Sequence, residues 1–259
     1  MNKITRLSKN EFETLLTSLV EIGGGSESIV YDLKNGFVLK DLMDNELMRI
    51  KAKEDVVYKE DDLLKFSDVN VKSYFFTKGV VYSDKDLRGC ILKKCDGYEL
   101  TYIDPLSVNL SLLLSAIDKF IKDTKLISDK HILTYDMPCN IMFNGVSFGA
   151  IDTIHYNFSD DDEQKIFNKN INCFNLEVLD FLTDLYFKNF VIQNKELNET
   201  YKAFKNGEYT NLVAYIKLLI KKLSEYCDKK IIYLRDADKA IMENPDPSYP
   251  AYPIHKLKK

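Results

Sequence analysis

Ile22-Gly23-Gly24-Gly25-Ser26-Glu27-Ser28-Ile29-Val30-Tyr31 is the stretch on which the fold turns. It gathers three of only ten glycines and joins two apolar, β-rich runs. Without side chains, its backbone amides can approach phosphate oxygens closely. A plain tight turn accounts for a glycine run equally well. Lys40, which ends the apolar run Phe37-Val38-Leu39, adds weight to the phosphate reading. A lysine on an otherwise buried strand beside a glycine loop is placed to pair with a phosphate. The bland alternative is an edge lysine leaning into solvent.

Working outward, residues 8–18 predict an amphipathic helix, with Ser8 as N-cap and Glu11 three positions on. Residues 19–22 read as a strand running into the glycines. Residues 28–33 and 37–42 are two more strands, and Lys34-Asn35-Gly36 between them is a hairpin signal. Residues 44–66 are charged and periodic, which predicts one or two helices burying Leu47, Ile50, Val57, Leu63, Leu64 and Phe66. Residues 71–82 and 88–94 return to β character on either side of the polar turn Ser83-Asp84-Lys85-Asp86.

Beyond Cys95 and Asp96-Gly97 the pattern changes. Residues 107–127 predict a long helix with Leu110, Leu113, Leu114, Ile117, Phe120 and Ile121 along one stripe. Residues 141–143 and 148–151 form a second hairpin around Asn144-Gly145, and residues 170–242 read as helical throughout. Four prolines, Pro245, Pro247, Pro250 and Pro253, make the C-terminal tail extended. The expectation is an α+β chain in two parts. Residues 1–95 form a small antiparallel-sheet lobe with a helix, and residues 96–259 form a larger helical lobe.

Composition mainly excludes. With 36 basic and 40 acidic side chains and a net charge of -4, the chain lacks the basic field of a nucleic-acid or membrane-surface binder. Its five cysteines include no CxxC pair, and its three histidines lack HExxH spacing, so neither a zinc ribbon nor a metalloprotease motif is supported. The scattered cysteines read as reduced thiols of a cytoplasmic protein. Glu11 and Glu13 interrupt any apolar core of a signal peptide. The most apolar stretch, residues 110–117, is too short to span a bilayer.

A second constellation is Tyr135-Asp136-Met137-Pro138-Cys139-Asn140, followed after the second hairpin by Asp152-Thr153. Carboxylate and carboxamide oxygens converging from two hairpin ends suit Mg²⁺, a hard cation held by few protein ligands plus phosphates. Taken singly, each of these residues is also explained by turn capping. His131 and His155 read as packing or surface residues, and the acidic run Asp160–Glu163 as a solvated loop or helix N-terminus.

Together these residues resemble the protein-kinase-like superfamily. The glycine pattern G-x-G-x-x-G-x-V is met by Gly23, Gly25 and Val30, with Gly24 between them and Ser28 at the third glycine's place. The resemblance implies a two-lobed fold and ATP and Mg²⁺ as cofactors. Lys40 would contact the α/β-phosphates and pair with a helix glutamate, Glu60 in preference to Glu54. Leu92, Lys93 and Cys95 would lie on the hinge that receives adenine through backbone hydrogen bonds, with Leu92 guarding the back pocket. Asp136 would be the catalytic-loop aspartate, and Asn140 and Asp152 the metal ligands.

The departures are specific. Thr134-Tyr135-Asp136 stands for H-R-D, so the histidine and arginine are absent. Asn140 follows Asp136 one position early, and D-F-G becomes Asp152-Thr153-Ile154. No A-P-E is present, which argues against an activation loop switched by phosphorylation. The implied activity is transfer of the ATP γ-phosphate to a hydroxyl, with Ser/Thr of a protein as acceptor. The alternatives are a small-molecule kinase of the aminoglycoside/choline type, or a pseudokinase scaffold. No nucleic acid and no membrane insertion are expected.

Overall fold

The computed structural model describes residues 3–24, 28–42, 58–134, 140–208 and 211–241. Contacts divide the chain into two compact units. One comprises residues 1–70, 75–95 and 152–154; the other comprises residues 71–74, 96–151 and 155–259. The main change of unit falls between Cys95 and Asp96, where the residue pattern changes.

The first unit is built on a six-stranded sheet. Its elements are β1 (Ile4–Leu7), α1 (Lys9–Ser18), β2 (Val20–Gly24), β3 (Ser28–Asp32), β4 (Phe37–Leu42), α2 (Glu60–Leu64), β5 (Thr77–Ser83) and β6 (Asp86–Lys93). The strand order is β1-β5-β6-β4-β3-β2. Ser8 caps α1 with the reciprocal Glu11 bond of a capping box, as its spacing predicts. Lys34 and Gly36 both take positive φ in the β3–β4 turn. Alternation along β4 then divides the side chains between the two faces. Leu39 packs with Phe12 of α1 and Val81, whereas Val38 and Leu42 pack with Leu63 of α2, Val80, Cys90, Leu92 and Ile154.

Two expectations need correction here. The sheet expected to be antiparallel is mixed, because β1, a stretch given no element from sequence, pairs in parallel with β5. Its four residues carry polar Thr5 and Arg6, and their partners lie more than seventy positions away. Local pattern holds no trace of such a pairing. In residues 71–82 the strand begins only at Thr77, after Ser73 and Tyr74 have been drawn into the second unit. In residues 44–66 the described helix is Glu60–Leu64. Leu47, Ile50, Val57 and the C-terminal prolines lie outside the described residues.

The second unit contains β7 (Tyr98–Glu99), α3 (Leu110–Ser128), β8 (Ile132–Leu133), β9 (Ile141–Phe143), β10 (Phe148–Ala150) and β11 (Asn157–Phe158). It continues with α4 (Glu163–Thr183), α5 (Lys188–Gln193), α6 (Lys195–Lys205) and α7 (Leu212–Cys227). Asn109 caps α3 through the Ser111 and Leu112 amides, so the helix begins three residues after a 3₁₀ turn that ends at Ser107. Asp162, within the acidic run, caps α4. The segment expected to be helical from residue 170 therefore starts at Glu163, and it ends as α-helix at Cys227.

Phe120 of α3 stacks on Phe174 of α4 with ring centroids 4.0 Å apart, and Phe148 meets both rings. Burying each such ring stabilises by about 1.5–3 kcal/mol. Gly97 has φ +126°, and a Cβ there would lie 2.7 Å from the Phe143 carbonyl oxygen. Only glycine fits where β7 meets β9. Among the described residues, no helix is long and apolar enough to cross a membrane.

Candidate functional site

Lys40 sits mid-strand on β4, in register with Val30 of β3 on one side and Cys90 of β6 on the other. Val80 of β5 continues the row beyond Cys90. The alternation that buries Val38 and Leu42 turns Lys40 onto the same face. Its cationic side chain, only 11% exposed, thus lies within an apolar row. An ammonium so placed requires a counter-charge.

Asp152 supplies it. The Lys40 ammonium donates to Asp152 Oδ1 in a short ion pair. Neighbouring features fix the backbone on either side of Asp152. The Asn144 side-chain oxygen accepts from the Val146 and Ser147 amides and so closes the β9–β10 turn. Ile151 N–H donates to the Asn140 carbonyl at 2.9 Å, tying the end of that hairpin to its start. Thr153 Oγ1 then donates to the Phe75 carbonyl at 3.0 Å, and Ile154 enters the core shared with Val38 and Cys90. Between these fixed points Asp152 has φ +60°, a left-handed conformation that non-glycine residues adopt at a cost of order 1–3 kcal/mol.

Cys90, on the other flank of Lys40, is fully buried, and burial pushes its thiol up to about 11. It is a neutral, inert neighbour at physiological pH.

Glu60, expected to pair with Lys40, does not. The Tyr82 hydroxyl donates to Glu60 Oε2 at 2.7 Å, and this bond is the chief cause of a raised Tyr82 pKa. Arg6 of β1 lies 4.2 Å over the Tyr82 ring, so Tyr82 is held from both sides. The carboxylate that sequence assigned to a metal serves here as the lysine's partner, and the one assigned to the lysine braces the start of α2.

The other expected residues are placed as follows. Gly23 and Gly24 belong to β2 itself, across a register shift after Glu21, and β2 is exposed throughout. A Cβ on Gly23 would meet nothing within 4 Å. Ser28 is buried at the start of β3, and Val30 packs against the core beneath Lys40. Leu92 is buried on β6 in that same core, Lys93 is exposed, and Cys95 is partly buried. Of the hinge amides, Lys94 N–H is engaged by the Gly36 carbonyl at 2.9 Å. Gly25, Glu54 and Asp136 lie outside the described residues. Asn140 belongs to the second unit.

One residue that sequence reasoning passed over is Asn170. It was taken as no more than the start of a helical stretch, yet it is 2% exposed and makes four hydrogen bonds. Its spacing to Ile166, Phe174 and Val178 on the buried stripe of α4 was the available signal. Among the described residues, no group of three His, Cys, Asp or Glu side chains converges on a metal position. Comparison of the chain with protein-family models and with curated protein sequences finds no match.

Proposed function

We propose that the protein is an ATP- and Mg²⁺-dependent phosphotransferase of protein-kinase-like type, moving the γ-phosphate to a hydroxyl, with Ser/Thr of a protein as acceptor. The observation that carries this reading is the Lys40–Asp152 ion pair on the apolar face of a sheet, with β3 between its strand and β2, the strand that ends in glycines. Phosphoryl transfer asks for positioning and charge neutralisation more than for covalent chemistry by the protein. An ammonium has three donors, so Lys40 can keep Asp152 and still donate to phosphate oxygens.

The donor set fits a hard cation. Asp152 offers a carboxylate, and Mg²⁺ binds through one or two such groups, phosphates and water. The ion would neutralise charge on the β- and γ-phosphates. Val30 and Leu92 supply apolar surface beside Lys40 for the nucleotide. The glycine-ended β2 is an exposed edge strand whose glycines offer no side chain to obstruct a phosphate. Asp136 orients the acceptor hydroxyl and takes its proton.

A small-molecule acceptor is favoured by one observation. Residues 153–162, between Asp152 and α4, are taken up by a 3₁₀ turn, the short β11 and the Asp162 cap, which leaves little chain for a peptide-binding activation segment.

The test is transfer of labelled phosphate from ATP with Mg²⁺, to the chain itself, to protein acceptors and to amino-alcohol or aminoglycoside acceptors. Transfer lost in Lys40→Met and Asp152→Asn supports the reading. Thermal stabilisation by ATP without transfer assigns the protein to nucleotide binding alone. The absence of both transfer and stabilisation refutes the proposal.

A further inference from the structure

Two carboxylates stand at the C-terminal end of α4, Asp180 in the last turn and Asp184 as the C-cap. A helix C-terminus carries about half a negative charge and is stabilised by cations, yet the last turn of α4 holds no basic residue. One ammonium reaches the pair from another helix. Lys205 of α6 pairs with Asp180 and lies 5.6 Å from the centre of the Tyr201 ring. Lys188, at the start of α5, is exposed and acts on Asp180 only at a distance. Among the described residues no lysine or arginine pairs with Asp184, whose Oδ1 accepts from the Tyr201 hydroxyl at 2.9 Å and meets Thr183 Oγ1 at 3.4 Å. One negative charge, at a helix end that is itself negative, is left uncompensated.

Hydroxyl oxygens gather around that charge. Thr183 is fully buried and gives its single proton to the Leu179 carbonyl at 2.7 Å, the nearer of its two acceptors. Tyr201 of α6 gives its own to Asp184. Both oxygens keep lone pairs and have no further proton to offer. The third hydroxyl belongs to Tyr215 of α7, which is 0% exposed and has no hydrogen-bond partner for its oxygen in the protein. Burial chiefly raises the Tyr215 pKa, and Tyr201 and Asp184 add to the rise, which sets those two groups near its hydroxyl. Its ring packs edge-on against Phe204, the neighbour of Lys205, with centroids 5.7 Å apart. A phenylalanine would keep that packing and avoid the cost of an unpaired buried hydroxyl.

We propose that Asp184, Thr183, Tyr201 and Tyr215 hold a monovalent metal cation, such as K⁺, where α4 ends against α6 and α7. Hard cations take oxygen ligands, and one free carboxylate balances a single positive charge. A divalent ion would call for a further carboxylate, and Asp180 is already spent on Lys205. The cation places positive charge at the end of α4 and gives the Tyr215 oxygen a partner. The site lies wholly within the second unit and does not depend on the phosphotransferase reading.

The experiment compares the wild-type chain with Asp184→Asn, Tyr215→Phe and, as a control acid elsewhere, Asp161→Asn. Thermal unfolding is followed in KCl, NaCl and tetramethylammonium chloride at equal ionic strength, and ⁸⁶Rb⁺ retention is measured by equilibrium dialysis. The wild type should retain about one Rb⁺ per chain, and KCl at about tenfold excess over its Kd should raise Tm by about 3–6 °C relative to tetramethylammonium. Asp161→Asn should keep both responses, whereas Asp184→Asn and Tyr215→Phe should lose them. In tetramethylammonium, Tyr215→Phe should melt at or above the wild-type temperature, and in KCl below it. That reversal separates a cation ligand from a packing residue. A wild type that retains no Rb⁺ overturns the proposal, as do responses left unchanged in both Asp184→Asn and Tyr215→Phe. If Asp184→Asn does not fold, Tyr215→Phe decides.

Discussion

Removing Asp152 should cost more stability than removing Lys40, although both deletions break the same ion pair. The side chains are 11% exposed for Lys40 and 29% for Asp152. Asp152→Ala strands an ammonium in the apolar row of Val30, Cys90 and Val80. Breaking a fully buried pair from one side costs about 3–5 kcal/mol. Partial exposure of Asp152 lets water enter its place, which lowers the expectation to about 2 kcal/mol. Asp152→Ala also adds positive-φ strain, because alanine tolerates that conformation less well than aspartate, so Asp152→Asn, which tolerates it, is the better control.

Lys40→Met keeps the apolar stem and leaves a carboxylate that water can reach, costing about 1 kcal/mol or less. The double variant Lys40→Met/Asp152→Ala should be about as stable as Lys40→Met alone. The assay is urea unfolding followed by circular dichroism, with the midpoint read at constant m. A coupling energy below about 0.5 kcal/mol, or a larger loss for Lys40→Met than for Asp152→Ala, would refute the claim that Asp152 is the charge that lets Lys40 lie on this face.

Because Glu60 binds Tyr82 and not Lys40, Glu60→Gln should reduce transfer less than tenfold where Lys40→Met abolishes it, and Tyr82→Phe should lower stability by about 1 kcal/mol; equal losses for Glu60→Gln and Lys40→Met in the labelled-ATP assay would contradict this geometry. Gly97→Ala should destabilise by at least about 2 kcal/mol, seen as a fall in Tm, since the residue combines φ +126° with a Cβ position against the Phe143 carbonyl. Asp161, paired with Lys165 and Lys169, is lowered from 3.8 to about 2. Its folded value lies below its unfolded one, so its contribution to stability is present above pH 3.8 and is lost as pH falls towards 2. A carboxyl NMR titration of Asp161 should move back towards 3.8 in Lys165→Met/Lys169→Met. Cys90, buried and raised to about 11, should resist thiol reagents at pH 8 in the native protein while partly buried Cys95 and Cys173 react, as peptide mapping would show.

Much of the fold was legible because it is local. The Ser8–Glu11 capping box, the two Asn-Gly hairpins and the apolar stripe of α3 each arise within a few residues, where turn chemistry and helical periodicity act directly. Lys40 was legible for the same reason, as a charge out of pattern on an apolar strand. What remained hidden depends on pairing across long separations. Parallel docking of β1 on β5 follows from an open sheet edge and not from the residues 4–7 themselves.

The sequence alone determined which groups are available: a lysine that strand alternation turns inward to meet a carboxylate, Glu60 or Glu54 as its expected partner, and Asp152 assigned to a metal. Which carboxylate does so was decided only in the tertiary structure. The β10 end, the Thr153–Phe75 bond and the burial of Ile154 bring Asp152 to the lysine. Tyr82, reached from β5 and held by Arg6 of β1, claims Glu60 first. A buried ammonium takes the counter-charge that the packing brings within reach, and packing is a property of the whole chain.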